Sequence, residues 1–121
     1  MGETESGALE SLEQRIENAA SLPTGEASDD ARLAVEELLQ LLERGQVRSA
    51  RRDADGDWSA VPWVKRGILL GFRIGKLIDM SPDEVPGSQS AAFSFFDKDI
   101  FPLRELTLSD SVRVVPVWSG L

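Results

Sequence analysis

The sequence predicts an α+β fold, a small helical domain that carries a β-hairpin and several short strands. Three observations predict it. Apolar residues recur at helical spacing in three separate stretches. Between the second and third of these the period shortens to an alternation around a turn-prone cluster. After the third come short β-prone runs separated by loop residues. A chain of 121 residues, 41% of them hydrophobic, can bury one modest core and hardly two.

Residues 1–8, "MGETESGA", are read as a flexible acidic tail, and residues 9–110 as the domain. In "ALESLEQRIENAA" the positions Leu9, Leu12, Ile16 and Ala19 or Ala20 share one helical face. "SLPTGEAS" ends that helix with Pro23 and Gly25, and Ser28 or Asp29 caps the next, with Asp29 and Asp30 well placed at its positive end. Ala31, Val35, Leu38, Leu39 and Leu42 form the buried stripe of this second helix, and Gly45 suits a left-handed cap at its end.

"QVRSARR" and "DWSAV" then flank "DADG". The alternating aspartates Asp53, Asp55 and Asp57 invite comparison with a calcium loop, which needs glycine at its sixth position and glutamate at its twelfth. Counted from Asp53, those positions hold Trp58 and Val64. The stretch instead reads as a hairpin whose tip uses Gly56 for a positive φ, with Trp58 as a packed aromatic. "PWVKRGILLGFRIGK" is the third helix: Pro62 fits its first turn and Gly75 its end. Trp63, Gly67, Leu70, Gly71 and Ile74 lie on one side, widened by Ile68 and Phe72. Glycine within a helix costs about 1 kcal/mol, so Gly67 and Gly71 point to close approach of another backbone. Lys65, Arg66, Arg73 and Lys76 make this helix basic, either to pair with the acidic helices or to face an anion. "KLIDM", "FSFFDKD" and "SVRVVPV" read as strands and "SPDEVPGSQS" as a loop, with Phe95 and Phe96 in the core.

Composition narrows the chemistry. Cysteine and histidine are both absent, which removes disulfides, thiolate metal sites and the histidine-based hydrolase triads. The stretch through Arg44 holds eleven acids against three arginines and so carries the whole net charge of −8. That half cannot reward a phosphate backbone, and no nucleic-acid partner is expected. The start has no basic, apolar leader and no apolar run approaches the ~20 residues of a bilayer span, so a soluble, cytoplasmic protein with no membrane partner is expected.

Three pieces together, "DGDWSAVPWVKRGILLGFRI" (55–74), "FFDK" (95–98) and "VRVVP" (112–116), are similar in order and spacing to the N-terminal domain of the tetrahydrodipicolinate N-succinyltransferase family. The similarity covers nearly the whole chain from about Leu9. It implies a small α+β domain normally followed by a left-handed parallel β-helix of hexapeptide repeats, assembled as a homotrimer and acting in lysine and diaminopimelate biosynthesis. Such repeats stack because one coil cannot bury its own apolar face. None is present here, and residues 111–121 are read as the strand leading towards that absent domain. The resemblance therefore implies that the catalytic acids lie outside this chain. It likewise implies that no cofactor is held here, and that succinyl-CoA is a co-substrate of the complete enzyme.

By the same resemblance the arginine of "VRVVP", Arg113, contacts the dicarboxylate substrate. A guanidinium suits this because its planar fork grips a carboxylate with two hydrogen bonds. The plainer reading has Arg113 flanking a strand and pairing with an acid. Arg73 in "GFRI" is a second substrate-binding candidate, its alternative being a salt bridge from the third helix to the sheet. Three functions follow: the substrate side of a succinyltransferase, inactive alone; a non-enzymatic interaction or regulatory module working through its acidic helices; or part of an acyltransferase with another substrate.

Overall fold

The structure, a computed structural model, describes residues 2–23, 29–81 and 94–115. Helices α1 (Gly2–Ser21), α2 (Asp29–Glu43) and α3 (Pro62–Ile74) pack against one another. The two-stranded sheets β1 (Ala50–Arg52) with β2 (Trp58–Ala60), and β3 (Leu77–Asp79) with β4 (Phe96–Lys98), are both antiparallel. The α+β class expected from the sequence is the one observed.

The core lies among the helices. Leu12 and Ile16 of α1, Val35 and Leu38 of α2, and Val64 of α3 are fully buried, each contributing about 1.5–3 kcal/mol through the water it releases. α1 begins at Gly2, so the stretch expected as an acidic tail is helical from that residue onward. An acid near the start of a helix, such as Glu5, is favoured by the positive end of the macrodipole. Gly67 and Gly71 are indeed sites of close approach, but side chains rather than backbone fill the space. A Cβ at Gly67 would run into Leu38 Cδ2, and one at Gly71 would stand 2.7 Å from Phe101 Cζ and 3.2 Å from Val35 Cγ1.

The cap at Gly45 takes its expected form, with φ +72°. Gly45 N donates to Leu42 O at 3.1 Å and Gln46 N to Leu41 O at 3.0 Å, the paired bonds of a Schellman ending. In the hairpin, Gly56 has φ +89°. Asp53 N donates to Asp57 O at 2.9 Å, and Asp53 Oδ1 accepts from Asp57 N at 2.9 Å. The Asp53 carboxylate is thus a turn partner. Gly75 closes α3 without a left-handed φ (−66°). Glycine is needed there because a Cβ would come within 2.9 Å of Lys98 Cβ and 3.0 Å of Gly71 O.

Other expectations are corrected. Phe95 and Phe96 are exposed rather than core, because β3 and β4 form a two-stranded ribbon that no described element covers. Trp58 is 71% exposed. Ser111–Val115 is not in a strand, and no edge among the described residues pairs with it. Gly25, Ser28, most of "SPDEVPGSQS" and residues 116–121 lie outside the described residues.

Candidate functional site

The segment that carries Arg113 is launched by a short turn. Asp110 closes it: its carboxylate accepts from Thr107 N at 2.7 Å and from the Thr107 hydroxyl at 3.2 Å around the 3-10 turn Leu108–Asp110. These bonds, the backbone N–H of Thr107 foremost, hold the Asp110 carboxyl below the usual carboxylate range. Ser111 then takes φ +55°, a left-handed conformation uncommon outside glycine. It turns the chain outward. Val112, Arg113, Val114 and Val115 are all exposed.

Arg113 is therefore presented to solvent, with no ion pair or side-chain hydrogen bond among the described residues. The plainer reading, a strand-flanking arginine held by an acid, is not what the described residues show. An uncommitted guanidinium keeps all five donors for a carboxylate.

Arg73 is placed differently. Its Nη2 donates to Ala19 O at 2.9 Å and its Nη1 to Ala20 O at 3.2 Å. These carbonyls end α1, where intrahelical donors run out, so Arg73 ties α3 to the end of α1 and not to a sheet. No described interaction joins it to Arg113. Of the other basic residues of α3, Arg66 meets the acidic helices: its Nε lies 2.8 Å from both carboxylate oxygens of Glu17, and its Nη2 is bonded to the same group.

A further junction escaped the sequence reading. Asp99 accepts from Lys76 N at 2.9 Å and lies 3.3 Å from Arg32 Nη1, so one carboxylate joins α2, the exit of α3 and the end of β4. The Lys76 N–H, then Arg32, holds its carboxyl below the ordinary range. Contacts spanning 67 residues, as Arg32 to Asp99 does, leave no local spacing to find. This junction orients the second ribbon on the helices.

Fold and site together define a small α+β module with a three-helix core and an exposed arginine on its carboxyl-terminal arm. Residues 9–74 match the family model described as "Tetrahydrodipicolinate N-succinyltransferase N-terminal", and the chain belongs to that family. Among proteins named 2,3,4,5-tetrahydropyridine-2,6-dicarboxylate N-succinyltransferase, that of Granulibacter bethesdensis is 46% identical over 66 residues, 54% of this chain and 22% of the relative. That of Rhodopseudomonas palustris strain TIE-1 is 40% identical over 70 residues, 58% of this chain and 25% of the relative. That of Brucella suis is 39% identical over 93 residues, 74% of this chain and 31% of the relative. The chain thus spans between about a fifth and a third of the length of the curated relatives it matches. No helix among the described residues is long and apolar enough to cross a membrane.

Proposed function

We propose that this chain is the substrate side of an N-succinyltransferase that acts on a tetrahydropyridine dicarboxylate. Arg113 grips one carboxylate of the hydrated, ring-opened substrate while the substrate's amine attacks the thioester of succinyl-CoA, forming the amide as the C–S bond breaks and coenzyme A leaves as its thiol. The acids that move the proton belong to a β-helix that these 121 residues do not contain, and the chain alone is inactive. In the complete, trimeric, cytoplasmic enzyme, both reactants are held within about 3 Å of one another, so that little freedom remains to be lost at the transition state. Arg73 serves to position α1 against α3.

The observation that supports this reading is the exposed guanidinium of Arg113, which has no acid partner among the described residues, in a chain that belongs to the family. A chimera in which this chain replaces the N-terminal portion of the Brucella suis relative tests it. Arg113→Ala should raise the KM for the dicarboxylate roughly tenfold to a hundredfold, the loss of a charge-assisted hydrogen bond. An unchanged KM and turnover would overturn the assignment.

A further inference from the structure

The second ribbon and the arm are held on the helices by one short clip, residues 99–101. The ribbon leaves α3 at Lys76 and returns at Asp99, and two bonds pin its ends together: Asp99 N donates to Lys76 O at 2.8 Å, and Lys76 N to Asp99 Oδ1 at 2.9 Å. Ile100 is buried in the core and Phe101 packs against it. The Phe101 ring lies 4.7 Å from that of Phe72, tilted by 40°, an arrangement that aromatic pairs favour. Its tip enters the space that Gly71 leaves empty, where a Cβ would stand 2.7 Å from Phe101 Cζ.

Beyond Phe101 this packing ends. From Pro102 to Val115 every residue is exposed, and the polar bonds of the Thr107–Asp110 turn are internal to the arm. Among the described residues Phe101 is therefore the last packed one before Arg113, a dozen positions further on. Pro102 follows at once. Its ring locks its own φ and restricts the residue before it, so the direction set by the Phe101 ring passes into the arm through a stiff joint. Error at such a root grows with distance: a swing of roughly 10° moves a group roughly 20 Å away by several Å, and a misplacement of about 1 Å already harms a positioned site.

We propose that Phe101 is a positioning residue for Arg113: seated on Gly71 and Phe72 and stiffened by Pro102, it sets the direction in which the arm leaves the helices, and so where the guanidinium meets the dicarboxylate. The inference rests on the substrate-binding role of Arg113. Releasing the ring leaves the arm intact but lowers the fraction of time Arg113 spends within reach of the substrate, and the apparent affinity falls by that fraction. The bound complex, once formed, reacts as before.

The Brucella suis chimera tests this through a cycle of variants. Phe101→Ala should raise the KM for the dicarboxylate ~3–10-fold and leave kcat within about twofold. Pro102→Gly loosens the joint at an exposed position outside the core, and should raise KM at least ~2-fold even if Phe101→Ala proves too unstable to assay. In an Arg113→Ala background neither change should raise KM further, because each acts only through that guanidinium. A merely structural role would multiply the two effects. A KM left unchanged by either substitution, or raised equally with and without Arg113, overturns this inference alone, and the role of Arg113 stands so long as Arg113→Ala itself raises KM. An Arg113→Ala chimera with the wild-type KM overturns both.

Discussion

The helical layer and the carboxyl-terminal arm treat the same residue types in opposite ways. In the layer, leucine and valine disappear from solvent, as Leu38, Val35 and Val64 do, and charged groups seal the edges through Arg66–Glu17 and Arg15–Glu37. In the arm, Leu108 is 100% exposed and Val114 70%. The turn that carries them is held by polar bonds between Thr107 and Asp110. Apolar residues thus build one region and merely decorate the other. The lesson is that hydrophobicity along the chain does not by itself mark the core. What marks it is a partner face at the right spacing.

The largest test places one truncation in both regions. Leu38→Ala should cost about 2–5 kcal/mol through lost burial and the cavity left behind, a large part of the 5–15 kcal/mol that holds a typical domain. Leu108→Ala should change the unfolding free energy measured by urea titration by no more than about 0.5 kcal/mol. Equal effects would break the contrast.

A second pair sharpens the picture within the helices. Gly67→Val should destabilise by about 1–3 kcal/mol, since Leu38 and Ile16 already occupy the space. Gly7→Ala, where a Cβ would meet nothing within 4 Å, should stabilise by about 0.5–1 kcal/mol. Thermal melts of the two variants should move in opposite directions.

Acid provides a smaller effect. Asp99, Asp79 and Asp110 each have a carboxyl held below its ordinary value of 3.8, by the N–H of Lys76, by Ser81 and by Thr107 respectively. A depressed folded value means the unfolded chain takes up the proton first. The stability these groups give is therefore complete above about pH 4 and is lost as pH falls through their lower folded values. Asp99→Asn should flatten the fall in melting temperature between neutral and acid pH. Asp110→Asn should leave the global melt nearly unchanged and instead speed amide exchange at Thr107.

The smallest expected effect is on the exposed arm itself. Val114→Ser should alter stability within about 0.5 kcal/mol. A large loss would mean that the arm is folded against the layer after all.

Much of the fold was legible because it is local. Leu12, Ile16 and Ala19 repeat at helical spacing, Gly45 follows the last apolar turn of α2, and Gly56 sits where the hairpin needs a positive φ. Val64 was not assigned to the core because tryptophan at the neighbouring position dominated the reading of that face. Aromatic size suggests burial for Phe95 and Phe96, and packing for Trp58, whereas a two-stranded ribbon has too little covering to bury them. Of the candidate site, "VRVVP" drew attention to Arg113, but its freedom from any described acid depends on the turn at Ser111. Arg73 looked equally available in sequence. That its donors end on Ala19 and Ala20 is a matter of how α3 crosses α1, which no spacing encodes.

That crossing also bears on how the chain comes into being. The carbonyls closing α1 receive their donors from a residue more than fifty positions downstream, and short helices in isolation are marginal in water. On the ribosome, the first helix waits with its oily side open until α3 has left the exit tunnel. At about 5–20 residues per second that exposure lasts for seconds, a window in which a chaperone would find its target.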